Sequence, residues 1–384
     1  MPSSPDVYWL ALRQVRGVGP RVYRLLLENF SSPQAAFEAG NDDLIRVGVP
    51  KITIRNILDF RNFDAAEKEL CELPRVNAKL VKWHEPEYPP NLRHIADPPP
   101  FLYLRGTLLP DEKKCIAIVG ARAASDAGRH MARRLGLELS AKGLAVVSGL
   151  ARGIDSEAHL GALDAGGRTI AVMGCGIDVI YPGENRKLAE AIVESGGALI
   201  TELPVGTPPS AENFPGRNRI LSGLSLGAII VEAAEKSGSL ITARLALEQD
   251  REVFAVPGSP LTGKARGSNR LIREGAKLVE CVEDVLEELA PQLAEVSKPI
   301  VKAPQVRISD KVVASNLSDY DGDPEEEGAK NLLNYLKEGS KLHVDALIEG
   351  SGLSASTVLK LLLDLELKGI VAQHPGKLFS LAHL

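Results

Sequence analysis

The chain has 384 residues, 44% apolar and 25% charged, and its 45 basic against 50 acidic side chains leave a net charge of −5. That length predicts two or three domains with real cores, and the charge balance excludes both a histone-like polycation and an acidic disordered chain. Any anion site must therefore be local. Split by region, residues 1–105 and 106–282 each carry +1 and residues 283–384 carry −7, so all the net acidity sits in the tail. Four cysteines, Cys71, Cys115, Cys175 and Cys281, stand far apart with no C-x-x-C pair. They support neither a zinc module nor a disulfide framework and fit a reducing compartment. With no basic start leading into an unbroken apolar run, and no apolar stretch of membrane-spanning length, the sequence reads as a soluble cytoplasmic protein without a membrane partner.

Residues 1–85 read as a helical unit. Leu12 to Val22 fits a helix-hairpin-helix turn, in which the bend Gly17-Val18-Gly19 can present backbone N–H groups to a phosphate, and a weaker echo follows at Val47 to Lys51. A helical domain that contacts protein fits the same pattern. From Glu85 to Pro100, six prolines forbid a helix and favour an extended strap.

Residues 86–295 form the next unit. Apolar runs recur at Cys115–Val119, Leu144–Val147, Thr169–Met173, Ala198–Thr201, Ala228–Val231 and Val253–Val256, most of them separated by room for a helix. That is a βαβ series, hence a mostly parallel sheet with helices on both faces. Directly after these runs come Gly120-Ala121-Arg122, Ser148-Gly149-Leu150-Ala151-Arg152-Gly153, Gly174-Cys175-Gly176, Ser237-Gly238-Ser239 and Pro257-Gly258-Ser259. Parallel strands all end on one edge, so these turns converge there, where open N–H groups and helix dipoles bind phosphate.

Several phosphate chemistries are disfavoured. Gly120 to Ser125 lacks the G-x-G-x-x-G of a dinucleotide fold. Gly258 to Ala265 matches G-x-x-x-x-G-K but ends in Ala where Ser or Thr should hold Mg²⁺. No nucleophile–base set or carboxylate pair presents itself. His130 and His159 lie inside predicted helices, and Asp155 and Glu157 read as helix-start acids. The expectation is a protein with no catalytic residue, no metal and no cofactor.

The basic residues point to a longer anion. Arg122 and Arg152 follow the first two strands, Arg217 and Arg219 occur in Asn213 to Arg219, and residues 263–277 carry Lys264, Arg266, Arg270, Arg273 and Lys277 against Glu274 alone. Arginines at the same edge as the glycine turns suggest a phosphate track. Phe214, read as a loop residue, either stacks on a base or serves as a core aromatic. Beyond the sheet, a polar stretch from Lys298 to Gly328 reads as a linker, and the linker between the two domains is set at residues 296–324. Residues 325–384 read as a winged helix: helices at Ala329–Lys337, Val344–Glu349 and Ala355–Lys368, then strands at Ile370–Gln373 and Leu378–Leu381. Such a unit usually enters the major groove, but its negative charge lacks the excess needed for phosphate and suits a protein partner instead.

Taken together, Ile118 to Arg122, Ser148 to Asp155, Gly174-Cys175-Gly176 with Tyr181-Pro182, Glu202, Phe214 to Ile220, Val231-Glu232-Ala233 with Ser237 to Leu240, and Val256-Pro257-Gly258 resemble the DNA-processing protein A (DprA/Smf) family over almost the whole middle unit. The resemblance implies an extended Rossmann-like domain between a helix-hairpin-helix (SAM-like) domain and a winged helix. It implies single-stranded DNA binding, a homodimer, and a recombination mediator that protects incoming DNA and helps load RecA during natural transformation (competence), with no enzymatic turnover. It places Gly120, Arg122, Ser148, Gly149, Gly153, Phe214, Arg217 and Asn218 in the DNA pocket. Some members carry Lys three residues before the Phe, and here Ala211 stands instead. With the edge turns and basic residues, the candidate set also takes in Ala121, Arg152, Arg219, Ser237, Gly238, Ser239, Lys264, Asn269 and Arg270. The alternative is a nucleotide-binding enzyme of the lysine-decarboxylase-like phosphoribohydrolase type. Its P-G-G-x-G-T-x-x-E motif is absent, and Ser237 to Thr242 stands in that region.

Overall fold

The computed structural model describes residues 4–110 and 112–296 and, in the tail, 333, 336, 342–351, 355–367, 370–374 and 378–381. The chain divides into two compact units, residues 1–299 and 300–384. The first opens with six helices: α1 (Pro5–Gln14), α2 (Pro20–Asn29), α3 (Pro33–Glu38), α4 (Asn41–Val47), α5 (Lys51–Leu58) and α6 (Phe63–Glu72). Proline at the first position of α1, α2 and α3 starts each helix where no amide partner is needed. The two hairpins pack on each other: Asn56 donates from its amide to the Arg16 carbonyl (2.7 Å), and Val18 is buried.

A nine-stranded sheet follows in the order β1-β2-β6-β5-β4-β3-β7-β8-β9. Its strands are β1 (Lys79–Lys82), β2 (Phe101–Gly106), β3 (Cys115–Val119), β4 (Ala145–Ser148), β5 (Thr169–Val172), β6 (Ala198–Thr201), β7 (Gly227–Ile230), β8 (Glu252–Ala255) and β9 (Lys277–Leu278). β3 to β9 pair in parallel, and β1 and β2 add an antiparallel edge. β1, β2 and β9 are additions to the six strands expected from sequence. β1 belongs to the sheet although its residues precede the boundary expected at 85. The proline strap is not extended throughout, since Asn91–His94 makes a 3₁₀ turn whose Leu92 is buried.

Helices α7 (Asp126–Ala141), α8 (Ile154–Asp164), α9 (Arg186–Glu194), α10 (Asn213–Leu224), α11 (Ser239–Glu248), α12 (Arg266–Arg273) and α13 (Val282–Val296) cover the sheet. The pleat sorts β3 between two cores. Ile116 and Ile118 join Leu135, Leu139, Ala158 and Leu289 of α7, α8 and α13. Cys115, Ala117 and Val119 join Leu221, Leu224 and Ala243 of α10 and α11. The chain leaves β3 toward β4, β5 and β6 and returns to β3's other side as β7, so a crevice opens at the carboxyl ends of β3 and β7. Arg13 docks the helical segment on the sheet: it donates to the Glu202 carbonyl (2.7 Å), pairs with Glu69 (3.5 Å) and lies over the rings of Phe101 and Tyr103.

The second unit has helices at Val344–Ser351 and Ala355–Leu367 and a three-stranded sheet of Leu342–His343, Leu378–Leu381 and Val371–His374. Val358, Leu361, Leu362 and Leu365 close onto Leu336, Leu347 and Phe379, so the apolar stripe of the long helix is the unit's own core. Of the helix expected at 329–337, Leu333 and Leu336 are helical and the rest lies outside the described residues, as do the polar stretch Lys298–Gly328 and the expected linker, residues 296–324, apart from Val296 at the end of α13. Because the core of the first unit is complete with Leu289, a chain ending at Pro299 should unfold in one cooperative transition at nearly the full-length midpoint, measured by circular dichroism. Loss of the folded baseline in the shortened chain would contradict the division.

Candidate nucleic-acid interface

Four segments meet at the carboxyl edge of the sheet. The turn after β3 supplies Gly120 and Arg122, the turn after β4 supplies Ala151 and Asp155, one face of α10 supplies Phe214, Arg217, Asn218 and Leu221, and the start of α11 supplies Ser237, Gly238, Ser239 and Thr242. They enclose a cleft of about 230 Å³. A second cavity of about 400 Å³ shares Arg122, Phe214, Asn218 and Gly238 and continues over Tyr181, Pro209, Ala211, Pro215 and Ile241. The first has charged and polar donors, the second an apolar and aromatic lining.

Phe214 sits in the first turn of α10 rather than in a loop. It is half-buried over Gly174, where a Cβ would press on its ring at 2.8 Å. The guanidinium of Arg122 lies 5.1 Å and that of Arg217 5.8 Å from its ring centre, within cation–π range. Tyr181, 44% exposed, has its ring 6.3 Å from the same phenyl. Arg122 is exposed and has no ion-pair partner among the described residues.

Arg217 forms the floor. It is buried, donates from Nη1 to the Val172 carbonyl at 2.8 Å, and its Nε has no partner. Burial pushes its guanidinium below the ordinary value, opposed by the charge of Asp155 and reinforced by that of Arg122. Asp155 is pushed up by burial, and accepts the Gly149 N–H at 3.1 Å. Gly149 is required here because a Cβ would fall inside the Arg217 guanidinium. Gly153 has φ +74°, and a Cβ on it would strike the carbonyls of Ala121 and Arg122. Gly149 therefore makes room for the Arg217 guanidinium and gives its N–H to Asp155, and Gly153 makes room for the backbone of the turn that carries Arg122.

α11 opens with Gly238 at its cap. Its first amides are turned inward: the Ser239 N–H donates to the Ser237 hydroxyl (3.4 Å), and the Leu240 and Ile241 N–H groups donate to the Ser237 and Gly238 carbonyls (both 3.1 Å). Ser237 Oγ and Ser239 Oγ are 2.7 Å apart. Two hydroxyls and two guanidiniums are the groups that could meet a phosphate here.

Other candidate residues stand elsewhere. Ser148 is fully buried and donates to the Ile118 carbonyl (2.6 Å), tying β4 to β3. Arg219 points away from the cleft and pairs with Glu202 (2.5 Å) and Asp97 (3.1 Å). Arg152 pairs with Glu184 (2.8 Å) outside the cleft. Ala121 accepts the Ile154 N–H, at 3.3 Å. Lys264 is exposed on a 3₁₀ turn, Gly263–Ala265. Asn269 clamps Gly258, accepting its N–H (3.0 Å) and donating to its carbonyl (2.8 Å), and Arg270 pairs with Glu274. Both border a separate groove of about 620 Å³ with Arg266 and Arg273. His159 is a core residue bonded on one side: Thr169 gives its one hydroxyl proton to the Val146 carbonyl, so the Nδ1 of His159 donates to Thr169 (2.6 Å), while its buried Nε2 has no partner. Burial lowers its pKa to about 3, with the Arg217 charge acting in the same direction. Tyr181 and Ile241 were not among the expected site residues. Tyr181 had a signal, an aromatic directly after a glycine turn in a chain with 4% aromatics.

Among the described residues no helix is long and apolar enough to cross a membrane, and no three His, Cys, Asp or Glu side chains gather as a metal site. The family model described as DNA recombination-mediator protein A matches residues 79–290, more than half of the chain. The chain belongs to this family of DNA recombination mediators. Residues 321–377 match the DprA winged helix domain and residues 10–62 a SAM-like helix-hairpin-helix tandem. Among relatives of this DprA/Smf chain, Protein Smf of Synechocystis sp. is 36% identical over 98% of both chains. DNA processing protein DprA of Bacillus subtilis is 46% identical over 59% of this chain and 79% of its own. The X-ray structure of DprA from Streptococcus pneumoniae superposes with a TM-score of 0.64 at 34% identity, covering 75% of this chain and 99% of that one. DNA processing protein A from Helicobacter pylori, described for its single-stranded DNA binding mode, gives a TM-score of 0.50 at 28% identity over 56% and 96%.

The Arg219–Glu202 pair yields a clean separation of stability from binding. Arg219→Ala strands a largely buried carboxylate and should cost about 3 kcal/mol of stability in urea unfolding. The folded protein should bind oligonucleotides as well as before, and a selective loss of affinity without destabilisation would return Arg219 to the site.

Proposed function

We propose that the cleft and its aromatic annex bind single-stranded DNA. The phosphates lie against Arg122, the buried charge of Arg217 and the start of α11, and a base stacks at Phe214 and Tyr181. The observation that carries this reading is the convergence of two guanidiniums on one half-buried phenyl ring beside the paired hydroxyls of Ser237 and Ser239. Phosphate contacts supply affinity without sequence information, and stacking accepts any base. The binding mode named for the Helicobacter pylori relative supports it.

On this reading the chain acts by binding, without turnover: it covers incoming single strands and helps load RecA during natural transformation, as a cytoplasmic homodimer. The RecA, transformation and dimer parts rest on family likeness. The phosphoribohydrolase alternative predicts release of base from AMP, which the binding reading does not.

The test is fluorescence anisotropy with a labelled thymidine oligonucleotide. Arg122→Ala should weaken binding about tenfold for all sequences alike, and should flatten the slope of log K against log salt by about 0.7, the value of one contact on a single strand. Wild-type affinity in the folded variant, or a preference for duplex, would refute the site. Phe214→Ala should weaken binding by a similar factor with an unchanged salt slope, because stacking is worth about 1–3 kcal/mol per base and releases no counterion. A chain ending at Pro299 should bind nearly as well as the full chain, and loss of most of the affinity would make the winged helix the principal reader.

A further inference from the structure

Glu232 follows β7 and is a buried carboxylate facing the turn that carries Arg122. Its Oε2 accepts the Ser125 N–H at 2.8 Å and the Ser125 hydroxyl at 3.2 Å, across the crevice between the carboxyl ends of β3 and β7. The Ser125 hydroxyl in turn accepts the Gly128 N–H (3.0 Å) and caps α7. Gly128 leaves the room that the carboxylate occupies, since a Cβ there would collide with Oε2.

This crevice is where an open parallel sheet takes a ligand's phosphate, on the amides that open the helix after the first strand. Here an internal anion has taken those donors. A carboxylate beside a phosphate track weakens phosphate binding by repulsion, so its presence calls for a compensating role. The structure offers one. The turn from Gly120 to Ser125 is tied on its other side by the Ile154 N–H to the Ala121 carbonyl (3.3 Å) and by the close approach of Gly153. With Glu232 holding Ser125, both ends of the Arg122 turn are pinned, and the exposed guanidinium is delivered to the Phe214 ring. A pinned turn spares the strand the ordering cost of a mobile arginine.

We infer that Glu232 is a positioning residue for strand binding, acting through Ser125 to hold Arg122 in register with the cleft. The inference rests on the proposed role of Arg122. The same anisotropy assay, run on the full chain with a labelled thymidine 20-mer, tests it with Glu232→Ala, Glu232→Gln, Arg122→Ala and the Arg122→Ala/Glu232→Ala double variant, each checked by thermal melting. Glu232→Ala should weaken binding about as much as Arg122→Ala, roughly tenfold, and flatten the salt slope by about one contact. The double variant should be no weaker than Arg122→Ala alone. Glu232→Gln keeps an oxygen for Ser125 and should bind within about threefold of wild type. Wild-type affinity in Glu232→Ala, additive losses in the double variant, or a Glu232→Ala protein with no folded baseline would each overturn the positioning role. If Arg122→Ala itself leaves binding intact, the strand-binding reading falls together with it. If Arg122→Ala weakens binding and Glu232→Ala does not, only the positioning role falls.

Discussion

A guanidinium held out of water beneath the cleft is the constraint around which the edge of the sheet is arranged. Removing a charge from water costs several kcal/mol, and no carboxylate lies within ion-pair distance of Arg217 among the described residues. The fold offsets the cost with the Val172 carbonyl at the end of β5, with the field of Asp155, and with the cation-facing ring of Phe214. Each of these draws in a further requirement. Asp155 is held by the Gly149 N–H, and Gly149 must lack a Cβ for the guanidinium to lie against its backbone. The residual positive potential faces the cleft, where on the proposed reading an anion would complete the neutralisation that the protein leaves unfinished.

Much of this was legible in the sequence because a fully buried parallel strand is a continuous apolar run, and the turn after it has a fixed place at the sheet edge. All six runs became strands, and Gly120, Arg122, Phe214, Arg217, Asn218 and Ser237 to Ser239 meet in one cleft. Arg219 was misplaced for a geometric reason. Residues two apart on a helix point about 200° from one another, so Arg217 and Arg219 cannot face the same ligand. The spacing i, i+3, i+4, i+7 picks out Phe214, Arg217, Asn218 and Leu221, the four α10 residues that line the cleft. Ser148 and Asn269 were obscured differently. Their side chains serve carbonyls and amides on neighbouring segments that are distant in sequence, and no local pattern announces such a partner. β1 and β9 are four and two residues long and lie at the sheet edges, too short and too polar to stand out as strands.

The flanking elements show how the edge is kept free. The helical segment docks through Arg13 onto Phe101, Tyr103 and the Glu202 carbonyl, and Glu202 also receives Arg219 from α10. Glu202 is pushed up by burial, with Arg219 as the chief opposing charge. The two arginines therefore meet on one residue that follows β6, and the ionic contacts of the N-terminal segment are spent on structure. In the tail, the apolar stripe of Val358, Leu361, Leu362 and Leu365 is consumed in the unit's own core. At the sheet edge, Arg122 is an exposed guanidinium with no ion-pair partner among the described residues.

What such a cleft can discriminate follows from its donors. On the proposed reading Arg122 and Arg217 see charge, the Ser237 and Ser239 hydroxyls see a phosphate oxygen, and Phe214 and Tyr181 see a flat ring; none of these distinguishes one base from another. Asn218, whose amide could read a base edge, already faces the Gly238 carbonyl at 3.5 Å. Duplex DNA hides its ring faces in the stack, and withdrawing one costs a few kcal/mol, whereas a single strand offers them freely. If the proposed reading holds, a site assembled from charge and ring faces would select for strandedness and be indifferent to sequence. Those are the properties a recombination mediator needs if it is to hold whatever strand arrives.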